Sequence, residues 1–150
     1  MAGTAALRAS RAGTILGFDF GTRRIGVAVG ETAIGLAHPL VTIAAEQNEH
    51  RFAAIESLIS EWRPSMLVVG LPLHADGTEH ALTARARRFA KQLEGRFGLT
   101  AELIDERFTT HAATAALSDA GVKARSHKGV RDQVAAQLIL QTYFDRRDAT

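Results

Sequence analysis

The sequence predicts an α/β fold, a mixed five-stranded sheet with helices on both faces, and three observations carry that reading. Strand-like and helix-like segments alternate from residue 14 onward in the order βββ-α-β-α-β-α-α. The first three strands follow one another through short connections, as antiparallel neighbours do. The later strands alternate with helices, the pattern of parallel βα units. A chain of 150 residues fits one domain with a core of its own.

Residues 1–13 (MAGTAALRASRAG) are small, basic and free of acids, and read as a flexible tail ahead of a domain spanning 14–150. Thr14–Phe20 (TILGFDF) reads as the first strand and Arg24–Val29 (RIGVAV) as the second, joined as a hairpin around Gly21 and Thr22. Pro39–Ile43 is a short third strand. Arg51–Trp62 is a helix, because Phe52, Ile55, Leu58, Ile59 and Trp62 share one face and Pro64 stops it. Met66–Leu71 (MLVVGL) is an unbroken apolar run, as expected of a strand buried on both faces. Pro72–Gly77 is a loop, and Thr78–Phe97 a second helix with Gly98 at its C-terminal cap. Ala101–Ile104 is the fifth strand. Thr109 or Thr110 caps a third helix that runs to Ala120 and ends at Gly121. A basic loop, Val122–Gly129, leads into the last helix, Val130–Phe144.

Composition excludes several classes. The chain has no cysteine, which removes a disulfide scaffold, a thiolate zinc site and a cysteine nucleophile together. No apolar stretch approaches the length of a membrane span, and no export signal is recognisable, so a cytoplasmic protein is expected. The net charge is only +2, but residues 1–75 carry 6 basic and 6 acidic side chains against 12 and 10 in residues 76–150. Fifteen of the 18 basic residues are arginine, the better residue for bidentate phosphate contacts.

Three acidic positions stand out. Asp19 lies in the first strand between Phe18 and Phe20, where a charge is costly unless paired or bound to a cation. Asp105 and Glu106 close the fifth strand, and strand alternation sends them to opposite faces, so at most one shares a site with Asp19. Asp132 sits in the first turn of the last helix, on the same stripe as Ala136, Ile139 and Tyr143. Gln133, Gln137 and Gln141 gather on the polar side of that helix. Carboxylates converging at one end of a mixed sheet repel one another unless a cation lies between them. Mg²⁺ takes such oxygen ligands, and a pair of such ions supports phosphodiester hydrolysis. Basic residues frame these acids: Arg23 and Arg24 after the first strand, Arg107 after Glu106, and Lys123, Arg125, Lys128 and Arg131 before Asp132. Such a frame suits a polyanionic substrate, because phosphate contacts position a strand. Arg85, Arg87, Arg88 and Lys91 read as the solvent face of the second helix.

Four blocks resemble the YqgF (RuvX) type of RNase H-like proteins: Leu16–Gly30, Val69–Glu79, Asp105–Thr110 and Lys128–Leu140. The resemblance runs from about Ile15 to Tyr143, nearly the whole chain. It implies an RNase H-like fold and a nuclease dependent on Mg²⁺ or Mn²⁺. Asp19, Asp132 and either Glu106 or Asp105 would be the metal ligands, with Glu106 the first choice. The implied substrate is structured RNA in pre-16S rRNA 5′-end processing, or branched DNA as in Holliday-junction resolution. The implied partners are nucleic acid and ribosomal precursor particles, with the chain a monomer or weak homodimer and no membrane involved. The family's basic pair before the last helix reads His127-Lys128 here, which leaves a weaker charge at 127. Two rival readings share the pattern: an ATP-binding domain of the actin and chaperone type, and a non-catalytic RNA-binding assembly factor.

Overall fold

The structure, a computed structural model, describes residues 13–109 and 128–149. Its elements are β1 (Thr14–Phe20), β2 (Ile25–Glu31), β3 (Leu36–Ile43), α1 (Asn48–Trp62), β4 (Met66–Leu71), α2 (Ala81–Phe97), β5 (Ala101–Asp105), a 3-10 turn (Glu106–Thr109) and α3 (Lys128–Ala149). The strands form one five-stranded sheet in the order β3-β2-β1-β4-β5. The β1/β2 and β2/β3 pairs are antiparallel, and β1/β4 and β4/β5 are parallel. The mixed sheet that the sequence predicts is therefore present. The expected helix ending at Gly121, and the basic loop with Lys123 and Arg125, lie outside the described residues.

Strand alternation divides the core in two. Leu16 and Phe18 of β1 point to the face covered by α1 and α2, where Phe89 meets Phe18 edge-on at 5.8 Å and Phe20 at 5.0 Å. Ile15 points to the opposite face, under Ala136, Ile139, Leu140 and Phe144 of α3. Asp19 follows the parity of Ile15 and so lies on the α3 face.

Element boundaries shift for local reasons. Helix α2 begins at Ala81 rather than Thr78, because Asp76 folds back on the Thr78 amide and hydroxyl. The His80 imidazole then accepts from the Leu82 amide as the N-cap. Helix α1 starts three residues earlier than expected, at Asn48, and α3 runs from Lys128 to Ala149, so Asp132 lies in its second turn. Strand β3 starts at Leu36 and holds Pro39 within it, which an edge strand tolerates.

The glutamine stripe of α3 has a different role from the one its polarity suggests. Gln137 Nε2 donates to the Ala37 carbonyl at 3.1 Å, and Gln141 accepts from the Ala37 amide at 2.9 Å while donating to the Gly35 carbonyl at 3.0 Å. Gln133 reaches Thr42 Oγ1. The stripe thus fastens α3 to backbone groups and one hydroxyl of the edge strand β3 and to the turn before it, rather than facing water.

Candidate active site at the sheet edge

Strands β1, β4 and β5 are parallel, so their C-terminal ends share one edge of the sheet. Helix α3 runs antiparallel to β1 and brings its N-terminal half to the same edge. Two glycines make this approach possible. Gly26 is the β2 partner of Asp19, and any Cβ there would overlap the Asp132 carbonyl. At Gly70, near the end of β4, a Cβ would strike Ile139 and press on the Glu106 carboxyl at 3.1 Å. Absent side chains at these positions let α3 sit on the sheet and leave room for Glu106.

The four acids then separate. Asp19 is mostly buried, and among the described residues no donor bonds its carboxylate. Burial, then the charges of Glu106 and Asp132, push its pKa from 3.8 to about 8. Glu106 is pushed from 4.5 to about 7, chiefly by burial and then by the charge of Asp105. Asp132 is gripped by Arg24, whose Nε donates to Oδ2 at 2.6 Å. Asp105 turns toward the other side of the sheet edge. It accepts from the Arg107 amide at 2.9 Å and from the guanidinium at 2.6–3.1 Å, and these hydrogen bonds hold its carboxyl below the usual range. Strand parity separates the pair: Ile104 joins the α3 core, so Asp105 at the strand end belongs to the α2 side, and Glu106 returns toward Asp19 at the start of the 3-10 turn.

Among the described residues no three His, Cys, Asp or Glu side chains are grouped closely enough to count as a cation cage. The donor chemistry nonetheless fits a divalent cation. Asp19 is a buried carboxylate that accepts no hydrogen bond among the described residues, its neighbours are two further carboxylates, and all the candidate ligand atoms are hard oxygens. Asp132 is the weaker member of the set, because Arg24 already neutralises it.

The basic frame is uneven. Arg23 and Arg131 are exposed, the former in the β1–β2 turn and the latter near the start of α3. Arg24 and Arg107 are engaged with Asp132 and Asp105. Lys128 opens α3 at this edge.

One contributor escapes a reading of the sequence. Arg51 in α1 is 3% exposed. Its guanidinium donates to the Gly21 carbonyl at 2.7 Å and to the Ala45 carbonyl, and stacks over Phe20 at 5.4 Å. No ion pair to it is present among the described residues, and burial lowers its pKa. It clamps the β1–β2 turn from the α1 side while the Arg24–Asp132 pair clamps the same turn from the α3 side. The only sequence signal is a basic residue one place before a core phenylalanine, which also fits a solvent-facing helix start.

Comparison with known proteins places these features in a family. A family profile described as RuvX, Holliday junction resolvase, matches residues 13–146. A protein of Nitrosospira multiformis named "Putative pre-16S rRNA nuclease" is 58% identical over 139 residues, covering 93% of this chain and 92% of its own. One of Methylobacillus flagellatus with the same name is 59% identical over 137 residues, covering 91% and 94%. Among solved structures, Thermus thermophilus RuvC in complex with a Holliday junction substrate superposes with a TM-score of 0.60 at 14% identity, covering 92% of this chain and 97% of that one. The fowlpox virus Holliday junction resolvase superposes with a TM-score of 0.55 at 7% identity, covering 89% and 99%. At such identities these two likenesses establish a shared RNase H-like fold and nothing further.

Proposed function

This chain belongs to the RuvX family, and from that premise we propose that it is a metal-dependent endonuclease cleaving phosphodiester bonds in structured RNA, in the 5′-end processing of pre-16S rRNA. The observation that carries the chemistry is Asp19: a buried carboxylate with two acidic neighbours and, among the described residues, no bonded donor, at the edge where three parallel strands end. Evolved sites keep such an arrangement where a cation or a proton is to be managed.

Asp19, Glu106 and Asp132 would hold the ion. Bound there, Mg²⁺ or Mn²⁺ would supply an acidified water and charge stabilisation at the phosphoryl oxygens. The remaining work belongs to the chain. Arg23 and Arg131 would hold the phosphate backbone against the edge, and Lys123, Arg125 and Lys128 are assigned to the same task from the sequence alone. Arg24 holds the Asp132 carboxylate in an ion pair and limits the repulsion that Asp132 exerts on Asp19. Arg107 and Asp105 neutralise each other and shape the far lip of the site.

The names of the relatives favour RNA; the profile description and the fowlpox and RuvC neighbours concern branched DNA. One experiment separates them: purified chain with a pre-16S rRNA 5′ fragment and with a four-way DNA junction, each with and without Mg²⁺ or Mn²⁺. Metal-dependent cleavage of the RNA, lost in Asp19→Asn, is expected. Cleavage of the junction alone would move the substrate to branched DNA. RNA binding without cleavage of either would convert the chain into an assembly factor. Localisation to the cytoplasm and action on ribosomal precursor particles belong to the same proposal.

A further inference from the structure

Helices α1 and α2 lie side by side on one face of the sheet, yet their outward surfaces carry opposite charge. Along α1 the exposed charged residues are Glu49, Glu56 and Glu61, and its arginine, Arg51, is buried. Along α2 they are Arg85, Arg87, Arg88, Lys91 and Arg96 against Glu94, whose carboxylate accepts from the Ala101 amide. Arg87 pairs with Glu79 at 2.9 Å, and Arg96 lies over the Phe52 ring at 4.1 Å. Arg85, Arg88 and Lys91 have no ion pair among the described residues. An i, i+3, i+6 spacing strings them along the helix over about 9 Å at 1.5 Å per residue.

Their place in the fold gives the ridge a direction. Strand β4 ends at the candidate active edge, and residues 72–80 carry the chain from there to the first turn of α2, which then runs back alongside β5. Arg107 joins the two regions, bonding Asp105 at the edge and reaching the Ala75 carbonyl of the connecting loop at 3.5 Å. The ridge therefore begins at the lip of the site and descends on the face opposite α3.

We infer that this face of α2 is a second nucleic-acid contact surface, on which Arg85, Arg88 and Lys91 take the phosphate backbone of a duplex arm extending beyond the cleavage edge. The inference deepens the proposed function and rests on it. Charge complementarity selects the occupant: cations without an ion pair among the described residues suit a polyanion, and the acidic surface of α1 repels the same polyanion and confines it to α2. With 3.4 Å per nucleotide along one strand, a 9 Å ridge spans about three phosphates.

The test is equilibrium binding in EDTA, by fluorescence anisotropy, of two labelled RNA hairpins. One has a stem that covers only the active edge, and the other is longer by one helical turn. The chains compared are the wild type, Arg88→Gln/Lys91→Gln, and Arg63→Gln as a basic residue removed at the far end of α1. For the long hairpin the double variant is expected to bind at least tenfold more weakly at low salt. Its slope of log affinity against log salt should fall by about 1.4–1.8, two contacts at roughly 0.7–0.9 each. The short hairpin and the Arg63→Gln chain should behave as wild type. Wild-type affinity and slope in the double variant on the long hairpin would overturn the ridge while leaving the nuclease reading intact, as would equal weakening on both hairpins. Absence of salt-dependent binding by the wild-type chain would instead overturn the nucleic-acid reading, and the ridge with it.

Discussion

Replacing Asp19 with asparagine should stabilise the metal-free protein, and by an amount that depends on pH. The side chain keeps its shape and loses its charge. In the unfolded chain the carboxyl titrates at 3.8, whereas in the folded protein burial and the charges of Glu106 and Asp132 hold it protonated up to about 8. A raised folded pKa on an acid means that folding takes up a proton between those limits, so stability falls as pH rises through the window. At about 1.4 kcal/mol per unit, the roughly four units between 3.8 and about 8 place the cost at pH 8 on the order of 5 kcal/mol. At pH 4 the folded carboxyl is already neutral and the asparagine gains little. Thermal unfolding in EDTA reads this directly. A gain of this size corresponds to a Tm higher by roughly 10–20 °C at pH 8, at about 2–4 °C per kcal/mol for a chain of this length. The gain should shrink to a degree or two at pH 4. An unchanged or lower Tm at pH 8, or the same gain at both pH values, would refute the claim that Asp19 is an uncompensated buried carboxylate.

Adding Mg²⁺ or Mn²⁺ to the wild type at pH 8 should raise Tm, with little effect at pH 4 or in Asp19→Asn; a metal response surviving in that variant would place the cation elsewhere. Glu106→Gln should abolish cleavage of the RNA fragment, whereas Asp105→Asn should retain most of it and lose stability through the freed Arg107; the reverse order in initial rates would exchange the roles of the two acids. Gly26→Ala should lower stability by about 1–3 kcal/mol, as overpacking does, because its methyl overlaps the Asp132 carbonyl, and denaturant unfolding would show it. Arg51→Met should weaken the coupling between Arg24 and Asp132 in a stability double-mutant cycle, besides lowering stability overall; an unchanged coupling would mean that Arg51 does not hold the turn for that pair.

Much of the fold was legible because it rests on local patterns. The charged Asp19 stood out because it lies between Phe18 and Phe20 in an otherwise apolar strand, and the unbroken run of Met66–Leu71 marked a strand buried on both faces. Asp132 was legible by its helical angle, since it shares a stripe with Ala136 and Ile139, both buried in the structure. What stayed hidden depends on partners distant in sequence. Whether Asp105 or Glu106 faces Asp19 turns on which face Ile104 packs against, and that is decided by α3. The glutamines of α3 read as a wet face because nothing local announces that β3 waits beside them. Arg51 is the extreme case: nothing in its own neighbourhood distinguishes a buried clamp from a solvent-facing cation.

The site and the fold pull in opposite directions at this edge, and the arginines are where the tension is managed. Bringing Asp19, Glu106 and Asp132 together costs stability whenever all three are charged. Neutralising all three with fixed cations would remove the cost and also the capacity to hold a divalent ion. The chain takes an intermediate course. Arg24 neutralises one acid, Asp132, and the most buried, Asp19, has no donor among the described residues. Arg51 directs its charge to carbonyls of the β1–β2 turn and of the loop between β3 and α1 rather than to a carboxylate, which stiffens the edge without quenching it. A site required only for stability would have paired Asp19 first. Among the described residues that acid is left unpaired while Arg24 and Arg51 are tied to other groups, the arrangement expected where the missing charge arrives with a ligand.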